Sequence, residues 1–357
     1  MKSAKAGRPL LQLILTPSKG PIASTALVAM VKMGEPSLIA AEGVLNGSDD
    51  ELVAFSKGEQ INGALKDASG NVSVTELKLA ETAHVSIAAE VLGALGGERS
   101  IPLLLAASDR TSDPSMRVML SVILTQLPRN ERALTSFKQV YEDARLDLET
   151  PAGPAKETMA QRTADFFDPT VAPWLVKTSL ALKGDPLEVE AVRTAALVSA
   201  AKLMTEEQVA QVQTLFDAKT NEGSKVGQAF DKEFKQAKEL VTKCERDINC
   251  LVTALALDAN QRKDTQFTAI KAAYMIGLLG KERDRITIVE ALPQIQNPAA
   301  RMTALKALEA LSPKGDDASA DKLEALFSEA TQSNDEDAIS VARIYLQAAA
   351  RLRSRAR

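Results

Sequence analysis

The chain contains four nine-residue segments that align with one another. Each begins with alanine and carries Leu, Ile or Met at its fifth and eighth positions; they span residues 26–34, 88–96, 272–280 and 304–312. Spacings of four and three residues place these side chains on one face of a helix. Each segment closes with Gly or Ser, and glycine suits the left-handed conformation of a helix C-terminus. Because such a helix cannot bury its apolar face alone, the pattern predicts an array of stacked helical repeats.

Composition and turn spacing agree with an all-α array. The 357 residues are 45% hydrophobic but only 4% aromatic, which suits close helix packing better than a sheet. The predicted inter-helix turns from Gly97 to Pro313 recur every 32 to 41 residues, the range of two-helix repeats. We therefore expect a single α-solenoid over residues 1–357, with about eight or nine antiparallel helix pairs and no β-sheet.

The interval from Gly34 to Gly97 spans 63 residues and is too long for one repeat. Residues 47–80 within it are polar, so we interpret them as an insertion or extended loop that could carry one short helix. Residues 343–357 are expected to form the C-terminal helix and a basic tail. Other helix starts are marked by Asp or Asn followed by proline, a pair that caps the first turn. These pairs begin at Asp113, Asp168, Asp185 and Asn297.

The residues that begin and end these helices resemble the HEAT-repeat family. Residues 113–117 and 297–301 are similar to its Asp-Pro-x-x-Arg helix entry, and the Ala-x3-Leu-x2-Leu-Gly endings are similar to the close of its first helix. The likeness extends over residues 22–46, 83–142 and 185–353. It implies an α-solenoid that serves as a binding scaffold, without identifying a partner.

A narrower resemblance concerns location. Residues 243–251, followed by residues 271–275, are similar to the layout of exported HEAT-like proteins of deltaproteobacteria. This resemblance implies a periplasmic or otherwise exported protein. A cytoplasmic location remains the alternative.

Cys244 and Cys250 are the two cysteines of the chain and flank a predicted inter-helix turn. Two helices that leave a tight turn can bring such residues within disulfide distance. Two buried free thiols are the alternative. A metal site would need further soft or imidazole ligands, and a redox pair is usually Cys-x-x-Cys. A disulfide would favour an oxidising compartment.

Catalytic machinery is hard to assemble from this composition. His84 is the single histidine, so it is the one available imidazole base for a Ser–His or Cys–His pair. Its apolar helical context favours a packed or capping histidine. The chain has no Gly-x4-Gly-Lys-Ser/Thr phosphate loop. We therefore expect no catalytic residue, no cofactor and no metal.

Two local clusters have both a structural and a functional interpretation. Phe166, Phe167 and Trp174 form an aromatic concentration, which we interpret as core packing; an exposed anchor for a partner is the alternative. Arginines near the C-terminus form a basic cluster, interpreted as a solvated helix face and tail, with phosphate binding as the alternative. These arginines are Arg343, Arg351, Arg353, Arg355 and Arg357.

These observations predict a non-enzymatic HEAT-like scaffold that binds a protein partner through the surface of stacked helices. The net charge of −4 argues against general nucleic-acid affinity. We expect no membrane span and infer no small-molecule substrate. The alternatives are binding of an anionic ligand, a nucleic acid or a lipid headgroup, through the C-terminal arginines, and a HEAT-like lyase or glycosylase.

Overall fold

The helical array predicted from the sequence is confirmed by a computed structural model. The structure describes residues 5–16, 20–58, 60–66, 72–78, 83–95, 97–143, 153–215, 224–256, 266–295, 297–313, 315–332 and 336–354. Within these ranges the chain forms twenty α-helices and one two-stranded hairpin. None of the helices in the described ranges combines the length and apolar character needed to cross a bilayer.

The first helix of each repeat lies beside the first helix of the next repeat. The π-helical turn Phe230–Phe234 joins α13 and α14 into one continuous first helix. The first helices are α2 (Gly20–Met33), α5 (Ala83–Leu95), α7 (Pro114–Leu124), α9 (Gly153–Arg162), α11 (Pro186–Leu203), α13 (Lys225–Ala229) with α14 (Lys235–Cys244), α16 (Gln266–Leu279), α18 (Pro298–Leu311) and α20 (Glu336–Ser354).

A second helix follows each first helix except α20, so the described residues contain eight pairs, as expected. Two further helices lie outside this pairing: α1 (Gly7–Ile14) precedes the array, and α4 (Asp50–Gly58) follows the first pair. The second helices are α3 (Glu35–Leu45), α6 (Ser100–Arg110), α8 (Glu131–Tyr141), α10 (Val171–Leu180), α12 (Glu206–Leu215), α15 (Ile248–Ala256), α17 (Arg285–Ala291) and α19 (Asp317–Gln332).

Three of the four capping residues predicted from the sequence begin their helices as expected; the prediction is wrong for Asp168, which lies three residues before α10, whose N-cap is Thr170. Asp113 accepts a hydrogen bond from the backbone N–H of Ser115 at 2.9 Å, and Asn297 accepts one from Ala300 at 3.0 Å. Asp185 caps α11 in the same way. These side chains satisfy N–H groups that have no partner inside the helix.

Arginines on first helices hold the ends of the preceding second helices. Arg301 donates to the carbonyl of Ile295 at 2.9 Å. Arg193 donates to the carbonyl of Leu180, the last residue of α10, at 2.8 Å. The spacing from the capping residue differs between the two: Arg193 lies eight residues after Asp185, whereas Arg301 lies four residues after Asn297. Both arginines nevertheless donate to carbonyl groups at a helix end.

The insertion at residues 47–80 contains strands, so the expectation of no sheet is wrong. Its short helix is α4, and after it β1 (Gln60–Lys66) pairs with β2 (Val72–Lys78) in an antiparallel hairpin whose register joins Gln60 to Lys78. The segment Val72-Ser73-Val74-Thr75 alternates valine with hydroxyl side chains, an apolar/polar pattern that favours a strand. Because the region is polar overall, this two-residue alternation was not recognised in the sequence.

The array closes on itself. The first helices α5, α7, α9, α11, α16, α18 and α20 contact one another in that order, and α20 then contacts α2 and α5. At this junction the Lys32 ammonium lies 5.8 Å from the centre of the Phe327 ring, a cation–π contact between α2 and α19. The array is therefore a ring of first helices and not an open superhelix.

The buried core follows the ring. One set of buried side chains runs from Leu11 to Ala196 and a second from Ala164 to Leu352, so the two sets overlap in sequence between α9 and α11. Alanine and leucine predominate in both sets. Small side chains let helix backbones approach closely, which explains the low aromatic content of the chain.

The closing residues of the nine-residue segments are small for different reasons. Gly34 has a φ of 68°, the left-handed conformation that the sequence predicts. Gly280 has no positive φ, but a Cβ there would lie 2.8 Å from Cδ1 of Leu311. Ser312 is extended, with a ψ of 139°. The left-handed explanation is thus correct at Gly34 and wrong at Gly280 and Ser312.

Candidate functional site

A cavity of about 490 Å³ lies where the C-terminal ends of five first helices meet. Its lining comes from the turn after α5, the turn after α7, the turn after α9, and the last residues of α16 and α18. First helices in such an array run parallel, so their C-terminal ends share one rim of the ring. Residues more than 200 positions apart, such as Glu98 and Lys306, therefore line one site.

Asp165 is the best-connected carboxylate of this site. Its Oδ2 atom lies 2.5 Å from the Lys306 ammonium and 3.6 Å from the Arg162 guanidinium, and its Oδ1 accepts a hydrogen bond from the Tyr274 hydroxyl at 2.9 Å. Burial raises the pKa of Tyr274 well above its usual value, and the Asp165 charge adds to this shift. Tyr274 is therefore a neutral hydrogen-bond donor.

Lys202 adds positive charge behind Asp165. Burial lowers the pKa of Lys202; the Asp165 carboxylate opposes that shift, while Lys306 and Arg162 reinforce it. Three basic side chains thus surround one carboxylate. A buried carboxylate needs such pairing because its desolvation is costly.

Glu309 and Arg351 form a second internal ion pair beside the cavity. The Nε atom of Arg351 donates to both carboxylate oxygens of Glu309 at 2.8 and 2.9 Å. The NH1 atom of Arg351 reaches the carbonyl of Ala94 at 3.5 Å. This arginine therefore links α20 to both α18 and α5 and belongs to the ring closure.

Phe167 forms part of the cavity wall in a strained conformation. Its φ of 50° is left-handed, which is uncommon for a residue with a side chain. The ring lies 5.0 Å from the Tyr274 ring and packs on Gly277, where a Cβ would be only 2.5 Å from Cε1 of Phe167. The aromatic wall thus depends on a glycine from a different repeat.

Of the two basic side chains that the described residues contribute to the cavity lining, Arg129 and Lys306, Arg129 is the more exposed, with 61% of its side chain accessible. Its NH2 atom donates to Oδ2 of Asp168 at 3.0 Å. Asp168 also accepts hydrogen bonds from the backbone N–H and the hydroxyl of Thr170. Asp168 therefore orients the guanidinium while leaving most of it accessible.

The cavity combines an aromatic wall, basic groups with spare donors and carboxylates already engaged by cations. This is the composition of a binding site for a group that accepts hydrogen bonds and carries an apolar portion. A second depression beside Leu187, about 580 Å³, is more open and is lined by α11, the segment that precedes it and the start of α13.

The structure joins Cys244 and Cys250 in a disulfide with a Cα–Cα distance of 5.5 Å. The bond connects the end of α14 to the start of α15 across a turn in which the Asp247 N–H donates to the Cys244 carbonyl at 2.8 Å. The prediction that this bond forms in the compartment where the protein resides stays a prediction.

His84 lies in the first turn of α5 and is partly buried. It is not among the residues that line the cavity. This placement agrees with a packed helical histidine.

The aromatic cluster divides between the core and the surface. Phe166 and Phe167 are buried, so core packing is confirmed for them, and both also reach the cavity. Trp174 is partly buried; its indole N–H donates to Glu142 at 2.7 Å and its ring packs against Tyr141. Trp174 thus packs against the second helix of the preceding repeat.

The C-terminal arginines are largely engaged within the protein. Arg351 pairs with Glu309, and Arg353 pairs with Asp317, Asp321 and Glu324. Arg343 lies on α20 and is partly buried. Arg355 and Arg357 lie outside the described residues. The phosphate-binding interpretation loses two of its five arginines to internal ion pairs.

Sequence reasoning missed the polar residues of the cavity, although the repeat alignment held a signal for them. Tyr274 and Lys306 occupy the third position of their nine-residue segments, and both contact Asp165. Gly277 and Glu309 share the sixth position, and both line the cavity. In these two segments the third and sixth positions therefore lie at the cavity or directly beside it.

Comparison with known proteins supports the repeat assignment. The family model of the PBS lyase HEAT-like repeat matches residues 86–110, which cover most of α5 and all of α6. Comparisons with curated proteins and with solved structures found no match. Residues 86–110 are thus similar to a HEAT-like repeat, and the eight stacked helix pairs in the described ranges fit an array of repeats of this kind.

Proposed function

We propose that this chain is a non-enzymatic HEAT-like scaffold that binds a protein partner at the rim carrying the cavity. The observation that carries this proposal is the construction of the cavity from five repeats. A surface shared by several repeats is the usual binding surface of solenoid proteins. Here ring closure concentrates that surface at one rim.

The chemistry of the lining supports binding over catalysis. Asp165 and Glu309 are held by Lys306 and Arg351 in short ion pairs. Catalytic acids and bases need a pKa near the working pH and access to a substrate. The raised pKa of Tyr274 keeps its hydroxyl protonated, and its full burial keeps it from a substrate.

The two alternatives receive less support. The cavity gives a lyase or glycosylase a concave site with ionisable walls, and the matched repeat carries the word lyase in its name. However, Lys202 and Tyr274, whose pKa values are shifted, are not among the lining residues. Anionic binding through the C-terminal arginines is weakened by the ion pairs of Arg351 and Arg353.

We also infer that the protein is exported, to the periplasm or beyond. The disulfide between Cys244 and Cys250 supports this inference, because disulfides persist in oxidising compartments and are rare in the cytosol.

Affinity capture followed by calorimetry tests the scaffold proposal. The full chain serves as bait in a lysate of its source organism, and the captured protein is then purified and titrated against it. We expect saturable binding with a Kd of about 10 μM or tighter, or roughly −7 kcal/mol. The absence of any protein whose purified form binds would contradict the proposal.

A matched pair of variants locates the surface. Ala310→Arg puts a long side chain into the cavity from an exposed position on α18, whereas Met302→Arg changes an exposed residue of the same helix that does not line the cavity. We expect Ala310→Arg to weaken partner binding at least tenfold and Met302→Arg to leave it unchanged. Equal affinities for both variants would place the binding surface elsewhere.

A further inference from the structure

We infer that the cavity recognises the C-terminal carboxylate of the partner polypeptide together with an apolar last side chain. This inference rests on the proposed function and names the part of the partner that enters the site. It follows from three observations: the spare hydrogen-bonding capacity of the lining, the aromatic wall and the size of the cavity.

The lining has donors to spare, while its buried carboxylates are occupied. Both oxygens of Glu309 accept from Arg351, and both oxygens of Asp165 have partners. In contrast, the guanidinium of Arg129 has five N–H donors, and its described bond is to Asp168. The Lys306 ammonium has three donors and remains 22% accessible beside Asp165. An incoming acceptor, and above all an anion, would meet these donors.

The carboxylate Glu98 also lines the cavity. Glu98 already interacts within the protein, but a carboxylate has about four acceptor positions, so it can also accept a backbone N–H of the bound peptide. Donors for the carboxylate and an acceptor for the preceding amide are what the end of a polypeptide requires.

Apolar side chains provide the second part of the site. Phe166, Phe167, Pro128 and Leu278 line the cavity beside the polar groups. An apolar last residue would bury its side chain against this wall at about 25 cal/mol per Å² of apolar surface. A charged last side chain would gain nothing there.

The size of the cavity favours the end of a polypeptide over a helix or an internal extended segment. A helix is at least about 10 Å wide with its side chains, so a cavity of about 490 Å³ would admit roughly one turn of it. An extended internal segment would have to continue out of the cavity on both sides of the bound residues. One or two terminal residues fit without that constraint.

Peptide titration tests the inference. The probe is an acetylated pentapeptide, four alanines followed by phenylalanine, as the free acid and as the C-terminal amide, measured by calorimetry against the full chain. We expect the acid to bind at least tenfold more tightly than the amide. Equal affinities, or no binding of the acid at millimolar concentration, would overturn the inference.

Substitutions identify the donors. We expect Arg129→Gln to weaken binding of the acid peptide about three- to tenfold and to leave binding of the amide peptide unchanged. Lys306→Met combined with Asp165→Asn removes the ammonium without leaving a buried carboxylate unpaired, and it should have a similar effect. Arg246→Gln is the control, because Arg246 is an exposed arginine outside this cavity. Unchanged acid binding in both cavity variants would overturn the assignment.

A small carboxylate distinguishes a polypeptide end from a free organic acid. 3-Phenylpropionate offers the same carboxylate and ring without a peptide bond, so we expect it to bind at least tenfold more weakly than the peptide. Equal binding would overturn the assignment to a polypeptide end. If a captured partner depends on Ala310 but binds equally with its C-terminus extended, this inference fails while the scaffold proposal stands.

Discussion

The aromatic wall of the cavity is held in place by the absence of a side chain at Gly277. An added Cβ would lie 2.5 and 2.7 Å from two atoms of the Phe167 ring and 3.1 Å from Cβ of Ala307. Phe167 cannot move away easily, because its backbone is already strained and its ring contacts Tyr274. The requirement for glycine therefore comes from tertiary contact and not from helix geometry.

We predict that Gly277→Ala destabilises the protein by about 1–3 kcal/mol, the usual cost of overpacking. Gly43→Ala is the matched control, since Gly43 also lies inside a helix but its nearest atom, Cβ of Asp49, would be at an ordinary 3.4 Å. There alanine should stabilise by up to about 1 kcal/mol. Denaturant unfolding of both variants measures the difference; a loss at Gly43 equal to that at Gly277 would refute the packing argument.

Lys271 is a fully buried basic residue that caps a neighbouring helix. Its ammonium donates to the carbonyl of Lys202 at 3.0 Å and to the carbonyl of Met204, at the C-terminus of α11. Burial lowers the pKa of Lys271 to about 7. The ordinary value in an unfolded chain is about 10.4.

This difference predicts a rise in stability with pH. Below pH 7 the lysine binds a proton in both states, so its contribution is constant. Between pH 7 and about 10.4 the unfolded chain holds the proton and the folded one does not, so the free energy of unfolding rises, by about 1.4 kcal/mol per pH unit at most. The free energy of unfolding, measured at pH 7 and at pH 9.5, should rise more in the wild type than in Lys271→Met. The same pH dependence in both proteins would exclude the lowered pKa of Lys271.

At the scale of elements, the disulfide joins two consecutive helices of one repeat. Glu245, between them, has a φ of 48°, so the turn is tight and strained. The loop closed by the bond has a sequence separation of only six residues. A loop this small removes little unfolded-state entropy.

We predict that replacing Cys244 and Cys250 by serine costs about 2 kcal/mol at most and leaves the array folded. Thiol counting on denatured, unreduced protein from its own compartment should give no titratable thiol. Two thiols in that material would refute the bond there and shift the inferred location towards the cytoplasm.

Elements with strong local signals were predictable, and those without were not. The Asp or Asn caps of α7, α11 and α18 follow from side chains adjacent to the helix start. The hairpin of β1 and β2 was missed because its alternation covers few residues within a polar segment. In a sequence alone, the alternation of a short strand is a weaker signal than a helical periodicity that extends over many residues.

At the scale of the whole molecule, ring closure depends on Arg351. Its guanidinium binds the nearly buried carboxylate of Glu309 on α18 and reaches the Ala94 carbonyl on α5. Removing the guanidinium would leave that carboxylate without its described ion-pair partner, which commonly costs about 3–5 kcal/mol. Closure and stability are therefore coupled at this residue.

We predict that Arg351→Met accelerates amide hydrogen exchange in α2 and α5, the helices that α20 contacts, while exchange in α12 stays unchanged. Adding Glu309→Gln should recover part of the lost stability, because the buried carboxylate is then gone. Equal exchange in wild type and Arg351→Met would show that the ring closes without this pair.

The sequence alone determined the all-α class, the repeat length, the number of helix pairs and the likeness to HEAT repeats. These properties follow from local periodicity and capping, which are encoded within about forty consecutive residues. The disulfide pairing was also foreseeable as one option, since the two cysteines are only six positions apart in the sequence.

Only the tertiary structure decided that the array closes and that a cavity forms at one rim. Closure depends on small rotations between repeats that accumulate around the ring, and no single segment records them. The cavity brings Glu98 together with Lys306, residues that no local pattern relates. Its polar groups occupy positions at which the aligned repeats differ from one another. The site they form could therefore be recognised only after the structure placed the helix ends side by side.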